Sequence, residues 1–206
     1  MTNKGLLLVL TGLSGSGKDS VMDLILKHQD YSFERIITHN TRPMREGEVH
    51  GKDYFFVNES EFKSLIDNGE IIEHVIHGSY YKGTSKSQLL RVFDNKQLIW
   101  RIDPSRAAKL EEYFEEKFGK QKAKPLISQT LKVFLSADLE TVKHRYKNRE
   151  ENSDMAEFEK RLMQDWKAFS RNKHRFDHIV ENNSTLQETL EKLLTTIKQK
   201  LELLNS

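Results

Sequence analysis

The chain contains no cysteine, which excludes disulfides, thiolate nucleophiles and cysteine-based zinc sites together. It also lacks an excess of charge of either sign. Its 33 basic and 31 acidic residues leave a net charge of +2, so no global field draws it to nucleic acid or to a membrane surface. No apolar stretch is long enough to span a bilayer, and Met1 to Gly5 lacks the apolar core and cleavage site of a signal peptide. These absences predict a cytoplasmic protein with neither a nucleic-acid nor a membrane partner. The eight histidines form no metal-ligand helix motif; His74 and His77 lie three apart on an expected strand and so point to opposite faces. With 206 residues the chain can bury one good core carrying smaller mobile lobes.

What the sequence does have is a phosphate-binding pattern near its start. The apolar run Leu6 to Leu10 leads into Gly12-Leu13-Ser14-Gly15-Ser16-Gly17-Lys18 and then into a helical pattern with Val21, Leu24 and Ile25 on one face. Glycines at 12, 15 and 17 let consecutive N–H groups turn inward toward a polyphosphate, Lys18 supplies a point charge, and the helix N-terminus aims its positive end at the same anion. The expected ATP-binding set is therefore Gly12, Ser14, Gly15, Ser16, Gly17, Lys18, Asp19 and Ser20. After the lysine such loops place a Ser or Thr whose hydroxyl meets Mg²⁺, whereas here Asp19 precedes Ser20. Either Ser20 reaches the metal from one residue later, or phosphates, waters and a carboxylate hold the ion.

Short β-like runs alternate with amphipathic segments, which predicts an α/β fold with a largely parallel five-stranded sheet flanked by helices. The expected core strands are Leu6 to Leu10, Arg35 to Thr38, Gln97 to Ile102, Leu131 to Leu135 and His178 to Val180. Two stretches break the alternation. From about Thr41 to Tyr81 the chain is rich in Gly, Tyr and charge, and holds a short helix that Asn58 and Glu61 can cap reciprocally and Gly69 can end. From Lys143 to Arg161 it is dense in charge, with Arg145 and Arg149 on one helix face and Arg161 on the next helix. These arginines form either a solvated face or a lid that brings cations to a transferring phosphoryl group.

In the first stretch, Pro43 stiffens the segment from Thr41 to Glu48 into a hook carrying Arg42 and Arg45, a pair suited to bidentate capture of a phosphate monoester. Tyr54 and Tyr81 are neutral donors that could complete it. Lys117 to Pro125 reads as a solvated basic loop. Ser184 to Leu204 reads as a final helix capped by Ser184 and Gln187, with its apolar stripe on the sheet or, in its last turns, at a dimer interface.

Taken together, Gly12 to Lys18, Thr41-Arg42 through Arg45, Gly47-Glu48, Gly51 to Tyr54, Phe62, Ile72-Glu73-His74, Gly83-Thr84-Ser85, Asp103 and the arginines at 145, 149 and 161 resemble the guanylate kinases, P-loop nucleoside monophosphate kinases. The resemblance spans almost the whole chain in the family's order, and the run from Thr41 to Val57 is its most specific part. It implies a P-loop NTPase fold divided into core (1–37), NMP-binding lobe (38–88), core (89–140), lid (141–162) and core with C-terminal helix (163–206).

The same resemblance implies a GMP site in which Arg42, Arg45, Tyr54 and Tyr81 hold the phosphate, Thr38 and Thr84 hydrogen-bond the guanine, and Glu73 accepts from its N1–H and amine. Asp103 would lie near the base or, with Ser20, near the metal. It further implies transfer of the γ-phosphoryl of ATP to GMP with Mg²⁺, catalysed by Lys18, Arg42, Arg145, Arg149 and Arg161, in a monomer or homodimer. A carboxylate facing two adjacent donors matches guanine and rejects adenine on chemical grounds alone. Four departures from the family pattern stand out: Asp19-Ser20, Arg101 in place of an acid, Pro104-Ser105-Arg106 in place of a glutamine-glycine continuation, and Lys82 between Tyr81 and Gly83. The first and third are similar to ribose bisphosphate phosphokinases. The alternatives are therefore a kinase of another phosphorylated acceptor, such as ribose 1,5-bisphosphate, or a non-catalytic guanylate-kinase-like scaffold that binds phosphopeptides.

Overall fold

The strand Leu6–Gly12 (β1) is buried along its whole length, and the reason is visible on its two faces. In the computed structural model of the protein, which describes residues 4–147 and 155–206, Leu7 and Val9 pack with Trp100, Phe114, Phe134 and Phe158. Leu6, Leu8 and Leu10 pack on the other side with Val21, Ile25, Leu193 and Ile197. Successive side chains of a strand point to opposite faces, so a strand covered on both sides is apolar throughout. Each such leucine contributes about 1.5–3 kcal/mol when fully buried.

The later strands are Phe33–Arg35 (β2), His39–Asn40 (β3), Phe55–Phe56 (β4), Ile71–His77 (β5), Tyr80–Ser85 (β6), Gln97–Arg101 (β7), Thr130–Ser136 (β8) and His178–Glu181 (β9). The helices are Lys18–Leu26 (α1), Glu59–Asp67 (α2), Lys86–Leu90 (α3), Pro104–Ala107 (α4), Leu110–Phe118 (α5), Lys120–Ser128 (α6), Leu139–Lys147 (α7), Met155–Asn172 (α8) and Leu186–Asn205 (α9). A five-stranded parallel sheet runs in the order β2-β7-β1-β8-β9. A second, four-stranded sheet runs β4-β3-β6-β5, with β6 antiparallel to both β3 and β5.

Two local features shape the second sheet and its flanking helix. Helix α2 is capped as its sequence predicts: Asn58 accepts from the Glu61 N–H at 2.8 Å, and Glu61 accepts from the Asn58 N–H at 2.7 Å. In β5 the register slips between Ile71 and Glu73. This bulge seats Glu73 opposite Thr84 and turns its carboxylate inward, where it is only 5% exposed.

Three expectations need correcting. The second core strand is Phe33–Arg35 rather than Arg35 to Thr38; Ile36 still donates to the Ile99 carbonyl, but at Thr38 the chain has turned to meet Phe55 in the second sheet. Most of the segment from Lys117 to Pro125 is helical, because Ala123 and Leu126, three apart, are both buried against the core. The last helix is capped by Thr185, which accepts from the Glu188 N–H at 3.2 Å. Asn182 and Asn183 are tied to Ser136 and Asp138, which keeps the chain out of the helix until then.

Candidate active site

The P-loop leaves the carboxyl end of the central strand β1, the edge where parallel α/β sheets bind ligands. Gly17 takes φ +87° so that α1 can start at Lys18, and a Cβ there would lie 2.6 Å from the Asn182 amide nitrogen. Asn182, fully buried, donates to the Ser16 carbonyl at 2.8 Å and accepts from Thr189 at 2.9 Å, fastening the loop to α9. Lys18 donates to the carbonyls of Gly12 and Leu13 at 3.0 and 2.7 Å. A cavity of ≈ 660 Å³ opens here, lined by Ser14, Gly15, Gly17, Lys18, Asp19 and Ser20 from the loop and by Arg145 and Arg161 from α7 and α8. Arg145 reaches Asn182 at 3.5 Å through Nη2, while its buried Nη1 has no hydrogen-bond partner among the described residues. A buried, unsatisfied guanidinium nitrogen facing the loop is a donor suited to an anion.

A second cavity, of ≈ 1100 Å³, is lined by Arg42, Arg45, Lys82, Asp103 and Arg106 among others. Arg42 is set by a bidentate pair with Glu48, and its guanidinium lies 5.1 Å from the Tyr54 ring centre. The Arg42 hydrogen bond, helped by the Arg45 N–H, holds the Glu48 carboxyl down to about 2. The ring of Tyr81 turns away to Phe62 and His74, at 5.4 and 6.3 Å. Alternation along β6 sends the next residue, Lys82, into the cavity, with its ammonium 5.0 Å from the Tyr54 ring centre. Burial pushes Lys82 below the ordinary lysine value. Burial also pushes the Tyr54 phenol up, but the cations of Lys82, Arg101 and Arg35 outweigh it and the net direction is down. Lys82 thus stands where sequence reasoning places Tyr81.

Between these two spaces lies a smaller cavity of ≈ 210 Å³, which brings Lys18 and Gly12 together with Thr38, Glu73, Asp103 and Arg106. Thr84, fully buried, donates to Glu73 Oε1 at 2.8 Å and so orients it. Arg106 bridges two acids, donating through Nη1 to Glu73 Oε2 and through Nε to Asp103 Oδ2. Asp103 also caps α4, its Oδ1 accepting from the Ser105 N–H and hydroxyl and the Arg106 N–H at 3.1, 2.7 and 3.0 Å. Burial raises the Asp103 carboxyl, but the Arg106 charge and these hydrogen bonds outweigh it and lower it overall.

Those contacts bear on the metal. The Asp103 carboxylate is committed to protein donors and Asp19 is ion-paired with Arg101, so neither fits a cation well. Among the described residues no group of three or more His, Asp or Glu side chains could hold one. Ser20 does line the cavity at the P-loop. Arg149 lies outside the described residues.

Asp165, Asn182 and Arg106 are absent from the site that sequence reasoning assembles. Asp165 Oδ2 accepts both the N–H and the hydroxyl of Ser14, each at 2.7 Å. Its position four residues after Arg161 puts it on the same face of α8, which is the signal that could have found it. Arg106 could have been suspected from its place three residues after Asp103, whereas nothing local marks Asn182.

Comparison with known proteins identifies the family. A model of the guanylate kinase family matches residues 4–200. The guanylate kinase of Lactobacillus johnsonii is 33% identical over 156 residues, 75% of this chain and 70% of that one. That of Lactobacillus acidophilus is 41% identical over 113 residues, and the chain spans about half of its length, 55%. In fold the chain is similar to a crystal structure of guanylate kinase from Anaplasma phagocytophilum, with a TM-score of 0.64 at 21% identity, over 97% of this chain and 87% of that one. A P-loop strand at the centre of a parallel sheet, a second sheet that turns a buried carboxylate toward it, and a family match over nearly every residue lead to one conclusion: the chain belongs to the guanylate kinase family.

Proposed function

We propose that the protein transfers the γ-phosphoryl of ATP to GMP, and to dGMP, giving ADP and GDP. The observation that carries this reading is the small central cavity, where the P-loop lysine and the buried Glu73 face one space. That proximity supports in-line transfer between donor and acceptor, in which catalysis is almost entirely positioning and charge stabilisation. Lys18 and the loop amides bind the donor phosphates, and Arg145 and Arg161 lie over them to neutralise charge as it develops. Arg42, Arg45 and Lys82 hold the acceptor phosphate, with Tyr54 steadying Arg42 and Lys82 by its ring and hydroxyl.

Mg²⁺, when bound with ATP, would neutralise charge on the donor phosphates. Ser20 is the side chain in place to hold it, the remaining ligands being phosphate and water. Residues 38–88 would act as the acceptor lobe and 141–162 as a lid, whose closure excludes water from the transferring group. The enzyme is read as cytoplasmic, acting on small molecules as monomer or homodimer; among the described residues no helix is long and apolar enough to cross a membrane.

A coupled ADP-release assay with ATP and Mg²⁺ tests the reading against GMP, dGMP, AMP, UMP, CMP and ribose 1,5-bisphosphate. Turnover confined to GMP and dGMP, and lost in Glu73→Ala, supports it. Turnover with the sugar phosphate alone, or with none of the acceptors, overturns it.

A further inference from the structure

We infer that Arg106 is a specificity-determining residue that donates to the 6-oxo group of the acceptor's base while Glu73 accepts from the neighbouring ring N–H. The inference rests on the guanylate kinase reading and deepens it. Arg106 sits in the first turn of the short helix α4, its backbone held by the Asp103 cap and by Pro104 before it. Two of its three guanidinium nitrogens are committed, Nε to Asp103 and Nη1 to Glu73. A guanidinium is planar and rigid, so fixing two nitrogens fixes the direction of the third. That third nitrogen, Nη2, has no hydrogen-bond partner among the described residues and is not sealed off, and the side chain lines both the second cavity and the small central one that holds Glu73.

Glu73 retains capacity of its own. An ionised carboxylate offers about four lone-pair sites. Thr84 takes one on Oε1 and Arg106 one on Oε2, which leaves room for base donors. The pocket therefore presents a donor beside an acceptor. A 6-oxopurine carries the complementary edge, a carbonyl oxygen next to a ring N–H. A 6-aminopurine reverses both, so it meets a donor with a donor and an acceptor with an acceptor. Rejection of adenine then has two independent sources, and Arg106 supplies one of them.

The test compares kcat/KM for GMP and 6-thio-GMP in the wild-type chain and in Arg106→Met. The thio nucleotide keeps the ring N–H and the amine but replaces the oxygen with a poor acceptor. Wild type is expected to prefer GMP by roughly tenfold or more, the loss of one hydrogen bond to a charged donor. In Arg106→Met the GMP value falls and the preference shrinks to within about threefold. A purely structural role lowers both substrates together and leaves the preference unchanged, which overturns the inference. Faster GMP turnover in the variant also overturns it, since Arg106 would then merely compete with guanine for Glu73. A wild-type preference near unity does the same without any variant. A wild-type chain inactive on both nucleotides instead removes the guanylate kinase reading, and this inference with it.

Discussion

Arg101, at the carboxyl end of β7, is ion-paired with Asp19, the residue that directly follows the P-loop lysine. Each stands where the family pattern has something else, and their opposite charges meet beside the phosphate site. The side chains are 30% and 40% exposed, so water screens the pair and its contribution to stability is small. Its effect on a triphosphate is expected to be larger. Arg101→Met removes a cation that offsets Asp19 and should raise KM for ATP by about three- to tenfold. Asp19→Ser should lower KM, and the double variant should return it toward wild type. Steady-state kinetics at low and high salt check this, because high salt should shrink every difference.

Asp165 holds the N–H and hydroxyl of Ser14, donors that a phosphate group would also take. Asp165→Ala removes a competing anion, so ADP affinity measured by titration calorimetry should improve by about three- to tenfold. Weaker binding in the variant would mean that the carboxylate instead supports the shape of the loop.

Lys82 should give the proposed acceptor site a pH dependence. Because burial shifts its pKa downward, its ammonium is lost at lower pH than that of an ordinary lysine, against the opposing pull of Tyr54. Arg101 and Arg106 add to the downward shift. GMP affinity should therefore weaken as pH rises toward the ordinary lysine value of 10.5. Lys82→Met should bind GMP more weakly at pH 7, by about tenfold, and show a flatter alkaline limb. Binding measured from pH 7 to 10 in both proteins decides the matter.

Asn182 ties the Ser16 carbonyl to Thr189 in a fully buried position. Asn182→Ala takes the side-chain donor from the buried Ser16 carbonyl, while Thr189 keeps the Thr185 carbonyl as a partner, and should cost about 1–3 kcal/mol of stability. Urea unfolding gives the loss directly. Nucleotide affinity should fall as well, since Ser16 lies within the loop that binds phosphate.

Much of the architecture is legible in the chain. The continuous apolar run of Leu6 to Leu10 announces a strand covered on both faces, and the Asn58–Glu61 spacing announces the cap of α2. The P-loop is equally plain, because its glycines, lysine and helix are consecutive. Sequence alone puts the cap of α9 one residue early, since Ser184 and Thr185 are equally able caps and only the tethering of Asn182 and Asn183 chooses between them. It also gives Tyr81 a contact that β6 gives to Lys82, because a shift of one residue reverses the face of a strand.

Local order in the chain therefore determined most of the elements and the phosphate loop, because each depends on residues a few positions apart, and the order of such motifs along the whole chain determined the family. Tertiary structure alone decided which charges meet. Asp19 and Arg101 are 82 residues apart, Glu73 and Arg106 are 33 apart, and Ser14 and Asp165 are 151 apart. A side chain's partner is set by which strand ends and helix faces the fold brings within about 3 Å, a distance that no periodicity encodes.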